Sequence, residues 1–249
     1  MVKKSIPQKS KFNHSKKIKS YKSIIIVLII AAIFIPITIY AVKFVTEMRT
    51  EAAPTEKPRK IEVTNITDCS VTVSWVTPNV ETIGFIEYGT SDSLTNTSFD
   101  LRDTEKSNKE YYNHYVEITN LTSSTSYNYG IIVGGKEYKR ENGSYYSFET
   151  GETLSTVPTP LPVKGKVADP SGGSEEIIVY AYLENDGEIS NKLSALTDSK
   201  QYALDLANFR KDDLSETFTL LDGATLYVLA QGADRGEGSV TTEIVHKED

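Results

Sequence analysis

The chain has little sulfur and little imidazole: one cysteine, Cys69, two methionines and three histidines among 249 residues, with one tryptophan, Trp75. A lone cysteine closes no intrachain disulfide, so the fold rests on its apolar core. So few Cys and His leave scant material for a transition-metal centre. A nucleophilic triad needs a His beside its Ser or Cys, and beyond the long apolar run near the N-terminus only His114 and His246 are available. Positive charge is scarce as well. Residues 51–249 hold 17 Lys and Arg against 33 Asp and Glu, a net −16, which repels phosphate backbones and argues against nucleic acid as a partner.

The N-terminus reverses that balance. Residues 1–23 carry eight Lys (3, 4, 9, 11, 16, 17, 19 and 22) and no Asp or Glu. Residues 24–42 then run without a charge, rich in Ile, Val, Leu and Ala. Nineteen residues at 1.5 Å rise give a helix of about 28 Å, close to the ~30 Å hydrocarbon core of a bilayer. Lys22 and Lys43 bracket the run, and Tyr40 sits at interfacial depth. A cleaved signal peptide has a shorter apolar stretch and a small-x-small site, whereas Tyr40-Ala41-Val42 leads into Lys43 and Phe44. The segment therefore reads as an uncleaved signal anchor. The positive flank keeps the N-terminus cytoplasmic and places the rest outside the cell.

Beyond a short stalk, residues 43–57, the hydrophobic period changes to two. Val71, Val73 and Trp75 alternate with Ser70, Thr72 and Ser74, and Tyr127, Tyr129, Ile131 and Val133 alternate with Asn128 and Gly130. One apolar and one hydroxyl-bearing face predict a half-buried strand. Short strands separated by Gly, Asn, Asp and Ser turns, with no helical stretch between them, predict an antiparallel sandwich.

Four separated features make residues 58–151 resemble a fibronectin type III domain. Trp75 follows Ser70-Val71-Thr72-Val73-Ser74, and Tyr88-Gly89 follows the third strand. Leu121-Thr122-Ser123-Ser124-Thr125-Ser126-Tyr127 is similar to the family's Leu-x-Pro-x-Thr-x-Tyr corner, with Ser123 in place of the proline, and Tyr146-Ser147-Phe148-Glu149-Thr150 resembles its closing strand. The resemblance implies that the Tyr127 hydroxyl bonds back to upstream backbone and locks the inter-sheet turn. Within that family, Phe85-Ile86-Glu87-Tyr88-Gly89-Thr90-Ser91 and His114-Tyr115-Val116-Glu117-Ile118-Thr119-Asn120-Leu121 look most like the non-catalytic domain that precedes the catalytic domain of purple acid phosphatases. The Gly-Asp-x-His and Gly-Asn-His-Glu metal motifs of that catalytic half do not occur here, so the resemblance brings no phosphatase activity with it.

Three prolines at 158, 160 and 162 read as an extended linker over residues 152–162. After it, Gly165-x-Val167, the apolar run 177–183, Tyr202-x-Leu204-x-Leu206, Leu226 to Ala230 and Val240 to Val245 predict a second, seven-strand sandwich over residues 163–249. Together with Thr197-Asp198 and Asn208-Phe209-Arg210, these residues resemble the carboxypeptidase-regulatory-like and collagen-adhesin B-type modules, although Gln201 replaces their turn glycine. Some adhesin modules carry a Lys–Asn isopeptide crosslink with the Asn in the last strand; no Asn follows Asn208, so none is expected.

The candidate chemistry is sparse. His114 shares the face of Val116 and Ile118 and reads as a partly buried strand histidine, His246 stands three residues from the chain's end, and Cys69 reads as a small apolar residue. Glu184, Asp186 and Glu188 around Gly187, and Asp234 with Glu237, could offer oxygens to calcium, but they lack the twelve-residue calcium loop and read as solvated turns. In Tyr111-Tyr112 and Tyr145-Tyr146, strand alternation would turn one ring of each pair toward solvent or a neighbouring strand if both residues lie in strands, where tyrosine anchors partners or packs across strands. Sequons stand at Asn65, Asn96, Asn120 and Asn142.

The sequence therefore predicts an all-β ectodomain of two tandem immunoglobulin-like, fibronectin type III-like sandwiches behind one transmembrane helix. It assigns no catalytic, cofactor-binding or metal residue and no cofactor. The expected partners are the lipid bilayer, through residues 24–42, and a protein or cell-surface ligand, with adhesion, envelope structure or scaffolding as the role. The alternative is an accessory subunit or an unrecognised enzyme.

Overall fold

The computed structural model describes residues 56–104, 108–168, 177–233 and 236–245. The expected membrane segment, the basic N-terminus, Asp234 and His246 lie outside them. Among the described residues no helix is long and apolar enough to cross a membrane.

Fifteen short antiparallel strands make up the described chain, with one 3₁₀ turn at Leu206–Asn208. The first eight are β1 (Arg59–Thr64), β2 (Ser70–Val76), β3 (Gly84–Gly89), β4 (Asn96–Phe99), β5 (Asn113–Thr119), β6 (Ser126–Val133), β7 (Lys136–Tyr138) and β8 (Tyr146–Glu149). They form two sheets, β1-β2-β5 and β4-β3-β6-β7, with β8 continuing the edge along β6. This is the antiparallel sandwich that the alternating pattern predicts, in the fibronectin type III-like form that the resemblance implies.

Between the sheets, Val71, Val73 and Trp75 of β2 meet Ile86, Val116, Ile118, Tyr127, Tyr129, Ile131, Val133 and Phe148. Trp75 is wholly buried. Gly84 exists for this ring, because a Cβ there would stand 2.7 Å from both Trp75 and His114. The tyrosine corner forms without its proline. The Tyr127 hydroxyl accepts from the Thr122 N–H at 3.0 Å, and Thr150 ties the same turn by donating to Thr122 O at 2.6 Å and accepting from the Thr125 N–H at 3.0 Å.

The remaining strands are β9 (Pro162–Lys166), β10 (Ile178–Asn185), β11 (Glu188–Ile189), β12 (Leu193–Leu196), β13 (Gln201–Asp205), β14 (Thr225–Gln231) and β15 (Glu237–Glu243). One sheet runs β11-β10-β14-β15, with β12 also on β10, and β9 pairs with β13 in a two-stranded sheet. Alternation along β10 and β14 sends Val179, Ala181, Leu183, Leu226 and Val228 into a core with Leu204, Leu206, Phe209 and Phe218. Leu206, expected to end a strand, instead opens the 3₁₀ turn, which Asp205 caps by accepting from the Ala207 N–H.

Both cores and all fifteen strands belong to one compact unit, residues 53–249. Large-to-small change at a buried aromatic removes transfer energy and leaves a cavity. Trp75→Ala is therefore expected to cost about 3–5 kcal/mol, and Tyr127→Phe, which loses one hydrogen bond, about 1 kcal/mol. Chemical denaturation of each variant checks both values.

Candidate functional site

The hydroxyl face of β2 does not meet water. Thr72 and Ser74 are buried, as are Thr64 at the end of β1 and Tyr115 of β5, so β2 is covered on both sides rather than half-buried as its alternation suggests. The cover is the outer face of the second sandwich. Tyr115 clusters with Ile178 and Tyr180 of β10, with Leu196 of β12 packed against them, so the two sandwiches meet sheet to sheet.

Polar groups are matched one by one across this joint. Ser74 and the Tyr180 hydroxyl share a hydrogen bond of 2.9 Å, and Thr64 and Ser194 share one of 2.6 Å. The Tyr115 hydroxyl donates to Ser194 O at 3.0 Å. Asn65 organises the rest. Its φ of 51° is in the left-handed region that Asn tolerates better than most residues. There its N–H donates to Lys192 O at 3.0 Å, its Oδ1 accepts from the Ser194 N–H at 2.8 Å, and its Nδ2 lies 3.0 Å from the Tyr115 hydroxyl. A glycan on Asn65 Nδ2 is incompatible with these contacts, whereas Asn96, Asn120 and Asn142, the other three sequon residues, are exposed.

A second point of attachment is Arg210, 5% exposed. Its Nη1 donates to Glu152 O at 2.7 Å and Leu214 O at 3.1 Å, and its Nη2 lies 4.0 Å from Asp68. A Cβ at position 151 would collide with this guanidinium, so Gly151 is what lets it in. Ion pairs rim the joint, with Lys192 donating to Glu62 at 2.9 Å and Lys60 to Glu237.

The residues singled out from sequence fall elsewhere. His114 is wholly buried, not partly so. It stacks on Trp75 with ring centroids 4.7 Å apart, and its Nε2 bonds Thr82 Oγ1 at 2.8 Å. Burial lowers its pKa from 6.5 to about 4. Cys69 is exposed rather than buried as a small apolar residue, because it lies in the turn before β2, where its N–H donates to Thr67 Oγ1 at 3.1 Å. Neither tyrosine pair lies wholly within strands, since β5 begins at Asn113 and β8 at Tyr146, so strand alternation does not govern Tyr111, Tyr112, Tyr145 and Tyr146, and all four rings are half-buried. Arg102 covers Tyr111 at 3.5 Å, Lys139 covers Tyr145 at 3.8 Å, and Tyr146 stacks on Tyr129.

Asp186 and Gly187, with φ of 50° and 84°, make the tight turn between β10 and β11, and Glu184 there accepts from the Tyr227 hydroxyl at 2.9 Å. Among the described residues, no three His, Cys, Asp or Glu side chains gather as metal ligands. Sequence reading missed Asn65, Tyr115, Tyr180, Ser194 and Arg210. The available signal was a run of hydroxyls on one strand face, which reads equally well as solvent exposure.

The paired sheets, the buried Trp75 and the tyrosine corner are the setting for the family comparison. Residues 58–150 match the family model for the N-terminal domain of purple acid phosphatase. The match ends before the second sandwich, and it concerns a non-catalytic domain. Among solved structures, the chain is similar to a computationally redesigned β-sandwich protein, at 21% identity over 40% of this chain and 98% of that one, with a TM-score of 0.28. It is also similar to an fn3 domain of human contactin 1, at 17% identity over 43% of this chain and 86% of that one, TM-score 0.25. A two-domain fibronectin type III segment of chicken tenascin aligns at 12% identity over 76% of this chain and 99% of that one, TM-score 0.23. No curated protein matches the sequence.

Two measurements follow from this geometry. Asn65→Ala strands several buried partners at a cost of roughly 1–3 kcal/mol; combined with Arg210→Ala, it should split a single calorimetric transition of residues 53–249 into two. For His114, the unfolded chain binds the proton first as pH falls, because its pKa of 6.5 exceeds the folded value of about 4. Stability is therefore complete above about pH 6.5 and declines toward pH 4, by up to about 3 kcal/mol from this group. Unfolding free energies of the wild type and His114→Gln, compared across that window, should differ in slope by this contribution.

Proposed function

We propose that the protein is a single-pass membrane protein that holds a jointed pair of β-sandwiches outside the cell as a binding or presentation module. The observation that carries the module half of this reading is the buried joint. Two sandwiches fixed sheet to sheet by paired hydroxyls, an Asn bracket and a buried Arg form one unit of set geometry, as a spacer or display platform requires. The membrane half rests on the eight-Lys flank followed by nineteen uncharged residues.

A catalytic role is not part of the proposal. Among the described residues the buried histidine, His114, is neutral and locked between Trp75 and Thr82, with no Ser or Cys nucleophile among those contacts. The match to a phosphatase domain that carries no catalysis favours one second reading: an accessory to a separate hydrolytic subunit.

Protease added to intact cells should release or digest material containing residues 60–249 while a tag before Ser5 stays protected. Protection of the sandwiches would overturn the orientation, and a mature chain beginning near Lys43 would replace the anchor by a cleaved signal.

A further inference from the structure

The outer face of the β10–β14 sheet is only partly covered by the first sandwich. Tyr180 is buried in the joint, but two residues further along the same face Tyr182 is only half-buried, and beside them Leu229 is 40% exposed. This uncovered end, the flank of β1 and the segment after β11 enclose an open cleft of about 630 Å³, within the size range of small-molecule sites. We infer that the cleft binds a sugar unit of a neutral glycan. This rests on reading the ectodomain as a binding module and gives that module a ligand.

Three features select this chemistry. The first is a flat apolar wall held in place. Tyr182 and Tyr227 stack at 4.6 Å with planes 5° apart, and the Tyr227 hydroxyl is tied to Glu184. Tyr182 lines the cleft and Tyr227 does not, so the free face of the Tyr182 ring is the one turned to it. A rigid aromatic face costs little entropy to use and suits the C–H face of a pyranose.

The second is polar capacity left over. The Asp212 carboxylate has no hydrogen-bond or ion-pair partner among the described residues and stands on the lining. Asn191, nine-tenths buried behind the same wall, spends its Oδ1 on the Arg210 N–H at 2.8 Å and fixes the backbone there rather than meeting a ligand. A free carboxylate acceptor beside an aromatic wall complements the hydroxyl donors of a sugar ring.

The third is charge. Lys192 is already paired with Glu62 across the rim, so the free charge at the cleft is the Asp212 carboxylate, on a body of net −16. Sulfated or uronate-rich chains are repelled. A lipid chain would need enclosed apolar walls, which this open, charge-rimmed cleft lacks.

Isothermal titration of the full chain in nanodiscs tests this, with cellohexaose, chitohexaose, heparin and hexalysine as probes at about 5 mM, enough to load a site of millimolar Kd. At least one neutral hexaose should bind and heparin should not. Tyr182→Ala should weaken binding about tenfold or more and Tyr182→Phe should preserve it, while Asp212→Ala, at an exposed position that leaves the fold intact, should weaken it severalfold. Three results overturn the inference: no heat with either hexaose, binding that both Tyr182→Ala and Asp212→Ala leave unchanged, or binding of hexalysine alone, which would make the cleft a peptide site. A null sugar titration with the protease test passed removes the ligand and keeps the displayed module; the reverse pattern removes the topology and keeps the cleft.

Discussion

The polar face of the β1-β2-β5 sheet has to be buried and satisfied at once, and much of the arrangement of the two sandwiches follows from that requirement. A buried hydroxyl without a partner costs roughly 1–3 kcal/mol, and Thr64, Thr72, Ser74, Tyr115 and Ser194 are all nearly inaccessible. Thr72 accepts from Asn65 of its own sandwich, but Thr64, Ser74 and Ser194 find their partners only if β10 and β12 sit in one position. Tyr180 must reach Ser74, and Ser194 must stand within reach of Thr64, Asn65 and Tyr115 together. A purely apolar contact would tolerate sliding by a residue. Here a slip would strand several groups together, so the network specifies geometry more than it adds net stability.

The same requirement explains backbone features that look unrelated. Asn65 takes a left-handed φ because that conformation turns its N–H toward Lys192 while its side chain faces Ser194. Gly151 ends the first sandwich without a side chain because Arg210 occupies the space one would need. Arg210 in turn accepts partial desolvation, which lowers its pKa, in exchange for two carbonyls on different segments. An extended proline-containing segment is compatible with all of this, because it need only span the two sandwiches and does not itself position them.

Much of the first core was legible from periodicity. Val71, Val73 and Trp75 had to share a face, and Tyr127 had to bond backward, because a two-residue period and a corner motif leave few other arrangements. The joint was not legible. Thr72 and Ser74 carry the same pattern whether they face water or a second layer of hydroxyls and tyrosines, and only the partner surface, a hundred residues away in sequence, distinguishes the two. Cys69 and His114 were misjudged for a related reason: burial at a strand's end depends on what the neighbouring loops cover. Gly84 and Thr82 close over His114, while the turn before β2 leaves Cys69 open.

Charge and shape then bear on function from the same residues. A joint that consumes Asn65, Tyr115 and Tyr180 removes those groups from any ligand, and the covered tyrosines of the first sandwich are held by their own cations and neighbouring rings. What stays available on the outer sheet lies just past the joint, where Tyr182 and Leu229 emerge beside Asp212. Because the joint ties the end of β1 to β12 and β2 to β10, the wall that β1 supplies to this cleft is held by the same hydrogen bonds that join the sandwiches. A binding surface composed across two domains is ordinarily weakened by their relative motion, since each encounter must first bring the halves together. Here the buried hydroxyls meet that cost during folding.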